Sequence, residues 1–217
     1  MGFKNQKIII KLWFISPGLQ LKKISEQEKK WSQDLSESRR YQFQYSRGYT
    51  RLALSTHFKN DPLDIPLFSK PGKAPLLDKG FGYVSISHCN DGFFIGWSNK
   101  KIGVDIEPLN RDINVKRFSD YLLSNEEIEF IYKFGEKNVS EKLLSIWVRK
   151  EALIKYSGGN IFRDFKSWKI NQSKNTANLV NSSKTISVNN INYQKWLLGI
   201  ASEKKPFLYP PIEEFSK

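Results

Sequence analysis

The sequence predicts an α+β fold in which two halves with a similar order of elements meet near residues 100–110. Residues 8–15 are rich in β-branched and aromatic residues and predict a strand, whereas residues 24–58 have a helical composition. Farther along, helical segments again precede strands, although the two halves share no close sequence repeat. The similar order indicates two α+β units joined in the middle of the chain.

Three short strand-like segments lie just before that junction, after a proline-rich stretch at 60–79 that predicts a loop. They cover residues 81–87, 93–98 and 102–107. Asn90-Asp91-Gly92 and Asn99-Lys100-Lys101 separate them and predict turns. The spacing is that of neighbouring strands joined by short connections.

The second half begins with helix signals. Ser124 and Glu127 form a capping-box pattern, which predicts a helix that starts there. Ser140 predicts the start of another helix, and Gly158-Gly159 predicts its end. Strands are predicted over residues 167–170, 185–188 and 194–201, with turns and loop over the polar stretch 171–190.

Composition restricts the class of protein. The 217 residues include 39% apolar residues and carry a net charge of +13, so the chain can form a packed core and favours acidic or phosphate-rich partners. Cys89 is the single cysteine, which excludes an internal disulfide, and two histidines nearly exclude a Cys/His zinc site. No apolar run approaches the length of a membrane span and no cleavage site follows residue 18, so we expect a cytoplasmic protein without a membrane partner.

The segment Gly103-Val104-Asp105-Ile106-Glu107 carries the first candidate for chemistry. Side chains alternate between the two faces of a strand, so Asp105 and Glu107 would lie side by side, opposite the apolar residues. Two neighbouring carboxylates can share one hard cation. Taken alone, the pattern fits two solvated acids on an exposed strand face better.

The second candidate is the segment from Trp147 to Lys155. Glu151 falls on an apolar helical stripe with Trp147 and Ile154, where a carboxylate is costly unless it is paired or binds a metal. Lys155 lies one turn after Glu151 and shares its face. The alternative is an ordinary Glu–Lys pair on a helix surface.

Other candidates carry less weight alone. His88 follows Ser87 at the end of a predicted strand and can reach a phosphate, although a structural histidine is the default interpretation. Arg47 and Arg51, four residues apart, could form a basic strip for phosphates, and Lys73 lies in the proline-rich loop. Most basic residues in so basic a chain are simply solvated.

Together these segments resemble the 4′-phosphopantetheinyl transferases of the surfactin-synthetase-activating type. Residues 103–107 are similar to that family's Gly-(Val/Ile)-Asp-(Val/Ile)-Glu signature, and residues 147–155 to its Trp-x-x-Lys-Glu-Ala-x-x-Lys signature. Ser87-His88 resembles its Ser-His pair, the helix around Arg47 its Arg-rich first helix, and Gly72-Lys73 its Gly-Lys-Pro loop. Ala74 departs from the loop pattern, because it separates Lys73 from the proline.

The resemblance implies a fold and a reaction. The fold is α+β with two similar α/β halves, 1–103 and 104–217, related by a pseudo-two-fold axis, with the active site in the cleft between them. The reaction moves the 4′-phosphopantetheine arm of coenzyme A onto a serine of an apo acyl or peptidyl carrier protein and releases adenosine 3′,5′-bisphosphate. The implied partners are coenzyme A and an acidic carrier protein, with no nucleic acid, and the implied state is a monomer.

The resemblance also implies roles for individual residues. Mg²⁺, or Mn²⁺ in its place, would be bound by Asp105, Glu107 and Glu151. Glu151, or a water on the metal, would take the serine proton, and Lys155 would stabilise or protonate the leaving phosphate. Coenzyme A would be held by Arg47, Lys73, Ser87, His88 and Lys155.

Two other classes of function compete with this interpretation. A nucleic-acid-binding module would explain the charge, but it leaves three acids at one site without a reason, since carboxylates repel phosphates. A metal-dependent phosphatase or nuclease would need more clustered His and Asp ligands than the chain offers. A relative that has lost its activity is also possible, although every matched acid is present.

Overall fold

The computed structural model describes residues 7–89, 92–133, 135, 138–204 and 209–216, without the side chains of residues 117, 120, 121, 161 and 162. The predicted turn at Asn90-Asp91 therefore lies outside the described residues.

Helices and strands alternate in two blocks along the chain. The helices are α1 (Glu26–Ser32), α2 (Glu37–Phe58), α3 (Val115–Leu122), α4 (Asn125–Tyr132), α5 (Val139–Ser157) and α6 (Ile161–Asp164). The strands of the first block are β1 (Ile10–Ile15), β2 (Leu67–Phe68), β3 (Leu76–Leu77), β4 (Tyr83–Cys89) and β5 (Gly92–Ser98). The remaining strands are β6 (Ile102–Pro108), β7 (Trp168–Asn171), β8 (Thr176–Leu179), β9 (Thr185–Tyr193), β10 (Trp196–Ser202) and β11 (Ile212–Phe215).

Two main sheets share one strand plan, and β2 and β3 form a separate hairpin. In the first sheet the order is β11-β1-β5-β4, and in the second it is β6-β10-β9-β8-β7. Each block also contains an antiparallel hairpin, β4–β5 in the first and β9–β10 in the second. The first strand of each block lies antiparallel to the second strand of that hairpin, β1 to β5 and β6 to β10. In each block a long helix, α2 or α5, is inserted between the first strand and that hairpin. The mixed composition confirms the α+β prediction, while the pseudo-two-fold relation and the boundary at residue 103 stay predictions.

Alternating side chains divide the interior into three apolar clusters. Trp13 and Ile15 of β1 pack with α2, whereas Leu12 and Phe14 of the same strand pack with the second sheet. Leu197 of β10 packs with α5. The layers therefore run α2, first sheet, second sheet, α5. Among the described helices, none combines the length and apolar composition needed to cross a membrane.

The edges of the two sheets meet along β4 and β6. The backbone N–H of Val104 in β6 donates to the Ser85 hydroxyl in β4 over 3.1 Å. Two serines of β4, Ser85 and Ser87, are buried at this seam. Because β4 and β6 are outer strands of different sheets, the seam places side chains of both halves next to each other.

Several boundaries differ from the sequence expectations. The helical region at 24–58 is two helices, and the polar stretch 171–190 contains β8 and much of β9. The prediction that Ser140 begins a helix is wrong, because α5 starts from Asn138 and buries Val139 in the core. The Ser124–Glu127 capping box is confirmed at the start of α4.

Two glycines allow α5 to lie directly on the second sheet. A Cβ at Gly103 would stand 2.0 Å from the carbonyl oxygen of Ala152 and 2.4 Å from the nitrogen of Tyr156. A Cβ at Gly199, on β10, would stand 2.5 Å from the carbonyl oxygen of Val148. These distances are far below contact, so any side chain there would push the helix backbone away.

We therefore expect Gly103→Ala to lower the free energy of unfolding by about 3 kcal/mol, because the obstacle is rigid helix backbone. Chemical denaturation of both proteins measures this. Gly80→Ala is the control: its φ of 101° is strained, but its Cβ meets no atom within 4 Å, so it should cost only about 1 kcal/mol. Equal losses in the two variants would contradict the close approach of α5.

Candidate active site

Three carboxylates converge between β6 and α5. Asp105 and Glu107 lie on the face of β6 that also carries Gly103, and Glu151 faces them from α5. One carboxylate oxygen from each residue lies within 4.8 Å of those of the other two. Asp105 is 2% exposed and Glu107 is 6% exposed, so neither is a solvated surface acid. The interpretation as an exposed strand face is therefore wrong.

Burial makes this cluster electrostatically costly. It raises the pKa of the Glu151 carboxyl to about 8, and the negative charge of Asp105 adds to the rise. Burial and then Asp105 also raise the pKa of Glu107. The Oδ2 atom of Asp105 is buried without a hydrogen-bond partner among the described residues. Three close oxygen ligands of this kind fit a hard divalent cation such as Mg²⁺.

Lys155 connects the cluster to the first sheet. Its ammonium donates to Asp105 Oδ1 and to the Ser87 hydroxyl, each over 2.7 Å, and lies 4.0 Å from Glu151 Oε2. The Ser87 hydroxyl in turn donates to Asp105 Oδ1 over 2.7 Å. Three of the predicted site residues thus form one hydrogen-bonded group, with Glu151 at ion-pair distance, and Ser87 brings β4 into the group across the seam.

Two further residues contact the cluster: Trp147, which belongs to the second motif, and Arg111, which the sequence analysis did not single out. Arg111 forms an ion pair with Glu107 and lies 4.2 Å from the centre of the Trp147 ring. Trp147 Nε1 donates to Glu151 Oε1 over 2.6 Å. Arg111 reaches back because its N–H bonds the carbonyl of Pro108 in a tight turn. That turn, directly after the acidic strand, was the available signal.

The motif residue Lys150 has a structural contact instead. Its side chain is fully buried, and its ammonium donates to Glu127 Oε2 over 2.6 Å and to the carbonyl of Leu122 over 2.9 Å. Burial lowers the pKa of Lys150, while Glu127 opposes that change. The pair fastens α4 and the end of α3 to the helix that carries Glu151.

Arg47 binds the segment that precedes the Lys73 turn, and no described hydrogen bond or ion pair joins either residue to the carboxylates. Arg47 is buried on α2 and donates to the carbonyls of Phe68, over 3.2 Å, and Ser69, over 3.0 Å. Lys73 is exposed in the turn between β2 and β3. Arg47 therefore holds the strand that leads into the Lys73 turn. Direct contact of either residue with coenzyme A stays a prediction.

The expected basic strip on α2 does not form. Arg51 is 2% exposed and pairs with Glu28 over 2.7 Å inside the first half. It also donates to backbone carbonyls, including those of Ile65, over 2.8 Å, and Leu67, over 3.2 Å. Its guanidinium is thus used to hold the extended segment before β2, so it does not present its charge to solvent.

His88 lies on the opposite face of β4 from Ser87. It is exposed and stacks on Phe93, with ring centres 5.5 Å apart. No hydrogen bond within the described residues joins it to the carboxylate cluster. Its exposed position is compatible with a phosphate contact, which stays a prediction.

The three acids and Lys155 lie in a part of the chain that is similar to a known family. Residues 101–205 match the 4′-phosphopantetheinyl transferase superfamily. The matched range contains all three acids and Lys155, but not Ser87, His88, Lys73 or Arg47. No match was found among curated proteins. The match supports the resemblance at the level of the superfamily, whereas the activity and the surfactin-synthetase-activating subtype stay predictions.

We expect Mg²⁺ to raise the melting temperature of the protein, because the cation offsets the repulsion among three buried carboxylates. At about 100 times its Kd it should add about 2.7 kcal/mol, or roughly 5–10 °C for a chain of this size. Thermal unfolding in EDTA and in Mg²⁺ measures the increment.

Glu151→Gln should abolish the increment, because it removes one metal ligand. In EDTA above pH 8, where the Glu151 carboxyl is ionised, it should also raise the melting temperature, because it removes one repelling charge. Glu141→Gln on the same helix is the control, since its side chain is 71% exposed and it should keep the increment. An unchanged Mg²⁺ effect in Glu151→Gln would show that the cation binds elsewhere.

Proposed function

We propose that this protein is a 4′-phosphopantetheinyl transferase of the surfactin-synthetase-activating type. It moves the phosphopantetheine arm of coenzyme A onto a serine of an apo acyl or peptidyl carrier protein and releases adenosine 3′,5′-bisphosphate. The observation that carries the proposal is the group of three close carboxylates, two buried and one half-buried, next to Lys155 and within the residues that match the superfamily.

Asp105, Glu107 and Glu151 would hold Mg²⁺, or Mn²⁺ in its place. The bound cation would neutralise charge on the coenzyme A pyrophosphate and orient it for displacement. The fit rests on the donor set, because three oxygens lie close together and Asp105 Oδ2 has no other described partner. Arg111 offsets part of the negative charge of the three carboxylates through its ion pair with Glu107.

The chain's own groups account for the proton movements. The carrier serine attacks the β-phosphorus, a new P–O bond forms, and the bond to the leaving bisphosphate breaks. Glu151 would accept the serine proton, because its carboxylate lies in the cluster with its Oε2 4.0 Å from the Lys155 ammonium. Lys155 stabilises or protonates the departing phosphate, and its contacts with Ser87 and Asp105 keep its ammonium at the site.

Coenzyme A would enter along the seam between the halves 1–103 and 104–217. Ser87 contributes from β4, beside the acids of β6, and His88 and Lys73 would contact the nucleotide from the first half. Arg47 would act on the nucleotide, or on the Lys73 turn that it anchors. The shared strand plan of the two sheets supports a pseudo-two-fold relation with the site at the junction.

The carrier protein would approach a basic surface. The net charge of +13 favours association with an acidic carrier through long-range attraction. We further propose that the enzyme acts as a monomer in the cytoplasm, without nucleic acid or membrane partners.

Transfer is tested by incubating the protein with coenzyme A, Mg²⁺ and a panel of apo carrier proteins. Mass spectrometry should show one added phosphopantetheine. Asp105→Asn and Glu151→Gln should each lower turnover about 100-fold or more, because one removes a ligand and the other also removes the base. Glu141→Gln should retain normal turnover. Full activity in excess chelator would refute the metal-dependent mechanism.

Ligand binding separates this enzyme from a nucleic-acid-binding protein. Coenzyme A should bind more tightly with Mg²⁺ at fixed ionic strength, because the cation bridges protein carboxylates and pyrophosphate. Binding of DNA through lysine and arginine would instead weaken, because Mg²⁺ competes at the phosphates.

Calorimetry with each ligand, with and without Mg²⁺, measures the difference. Glu151→Gln should abolish the Mg²⁺ enhancement for coenzyme A, and Glu141→Gln should preserve it. Tight, metal-independent binding of DNA with no heat from coenzyme A would overturn the proposed function.

A further inference from the structure

A polar cavity of about 250 Å³ lies between α5 and the strands β7 to β9. Its lining includes Lys142, Ser145 and Arg149 from α5, with Gln172, Asn189 and Asn190 from the sheet. It is smaller than the about 300–1,000 Å³ of pockets for drug-sized ligands, so any ligand is small.

The cavity is separate from the carboxylate cluster. Arg149 and Glu151 are two residues apart on α5, which places them about 200° apart around the helix axis. Glu151 faces β6 and the seam, whereas Arg149 bonds Gln172, which follows β7. The same helix therefore presents an acidic group on one flank and a basic pocket on the other.

Arg149 is a buried cation without a carboxylate partner. It is 5% exposed, and among the described residues it forms no ion pair. Nε donates to the carbonyl of Ser145 over 3.0 Å, and Nη2 donates to the Ser145 hydroxyl, over 3.1 Å, and to Gln172 Oε1. None of these bonds uses Nη1. Neutral partners alone leave a buried charge uncompensated, which is expensive.

Within the described part of the chain, no carboxylate is available to neutralise Arg149. Burial lowers the pKa of Arg149 to about 10, and Glu127, the carboxylate that opposes this shift, already pairs with Lys150. No carboxylate is among the described lining residues, whereas two cations are. A bound anion would supply the negative charge that the described residues do not provide.

Two side-chain amides that line the cavity, those of Gln172 and Asn190, also have unused hydrogen-bonding capacity. Gln172 Nε2 and Asn190 Oδ1 are buried without described partners. Asn190 Nδ2 donates to the Ser145 hydroxyl over 2.7 Å, which fixes one side of the pocket. A ligand that accepts hydrogen bonds at one atom and donates at another, such as hydrogen phosphate, suits such a wall.

We propose that this cavity is a binding site for a small oxyanion, a phosphate or carboxylate group, held by the Arg149 guanidinium. Its planar fork matches either group. Lys142 also lines the cavity, although its ammonium pairs with Glu141 over 3.6 Å, so Arg149 is the cation that the proposal rests on. The site lies on the opposite flank of α5 from the carboxylates and stands whether or not the protein transfers phosphopantetheine.

Gln172→Glu tests the site with minimal change of shape. The new carboxylate would stand where Gln172 Oε1 already accepts from Arg149, so it would neutralise the cation from within and exclude an external anion. The wild type is titrated in EDTA with sodium phosphate or sodium acetate, and sodium chloride at equal ionic strength is the reference. We expect at least one of the two anions to shift the Arg149 Nε–H resonance in a saturable way. In Gln172→Glu the Kd of that anion should rise about tenfold or more.

Gln27→Glu is the matched control, because it makes the same charge change at an exposed position on α1 and should leave the Kd unchanged. Lys155→Ala should also leave it unchanged, which excludes anion binding at the carboxylate cluster. The melting temperature of Gln172→Glu should be at least that of the wild type, showing that the fold is intact. The proposal is overturned if neither anion shifts Arg149, if Gln172→Glu binds as the wild type does, or if Lys155→Ala abolishes binding.

Discussion

The buried repulsion among Asp105, Glu107 and Glu151 is the interaction on which the rest of the site depends. Carboxylates avoid one another in water, so the fold must force them together. It does so by packing α5 against β6 at Gly103, where the absence of a side chain leaves room for the helix backbone. Lys155 then supplies one positive charge from inside the chain. Arg111 supplies a second positive charge through Glu107. In the proposed function, a bound cation would offset the negative charge that remains.

The seam between β4 and β6 makes this site a property of both halves. The acids and Lys155 belong to the second half, but Ser87 comes from the first and bonds both Asp105 and Lys155. A shift of one sheet against the other would change those bonds at once. Glu127 and Lys150 hold α4 to the other side of α5, so the helix that carries Glu151 is restrained from two directions.

Sequence patterns predicted the parts that depend on periodicity. Strand alternation placed Asp105 and Glu107 on one face, and helical spacing placed Glu151 and Lys155 on another. The partners of Arg47 and Arg51 could not be predicted, because they are backbone carbonyls whose approach depends on the path of a distant loop. Arg149 shows a related limit, since a residue inside a matching signature faces away from the site of that signature. Backbone paths and helix faces are set by packing, which no local pattern records.

The last strand also has a kinetic consequence. β11 lies parallel to β1, and Trp13 and Glu213, joined by a hydrogen bond, are 200 positions apart in the chain. Glu214 accepts from Ser16 at the end of β1 and from Tyr193 in the second sheet, so this short strand joins both sheets. Closing so long a loop costs entropy before any contact repays it, and such pairings form slowly. We therefore expect the attachment of β11, which completes one edge of the first sheet, to be a late step in folding.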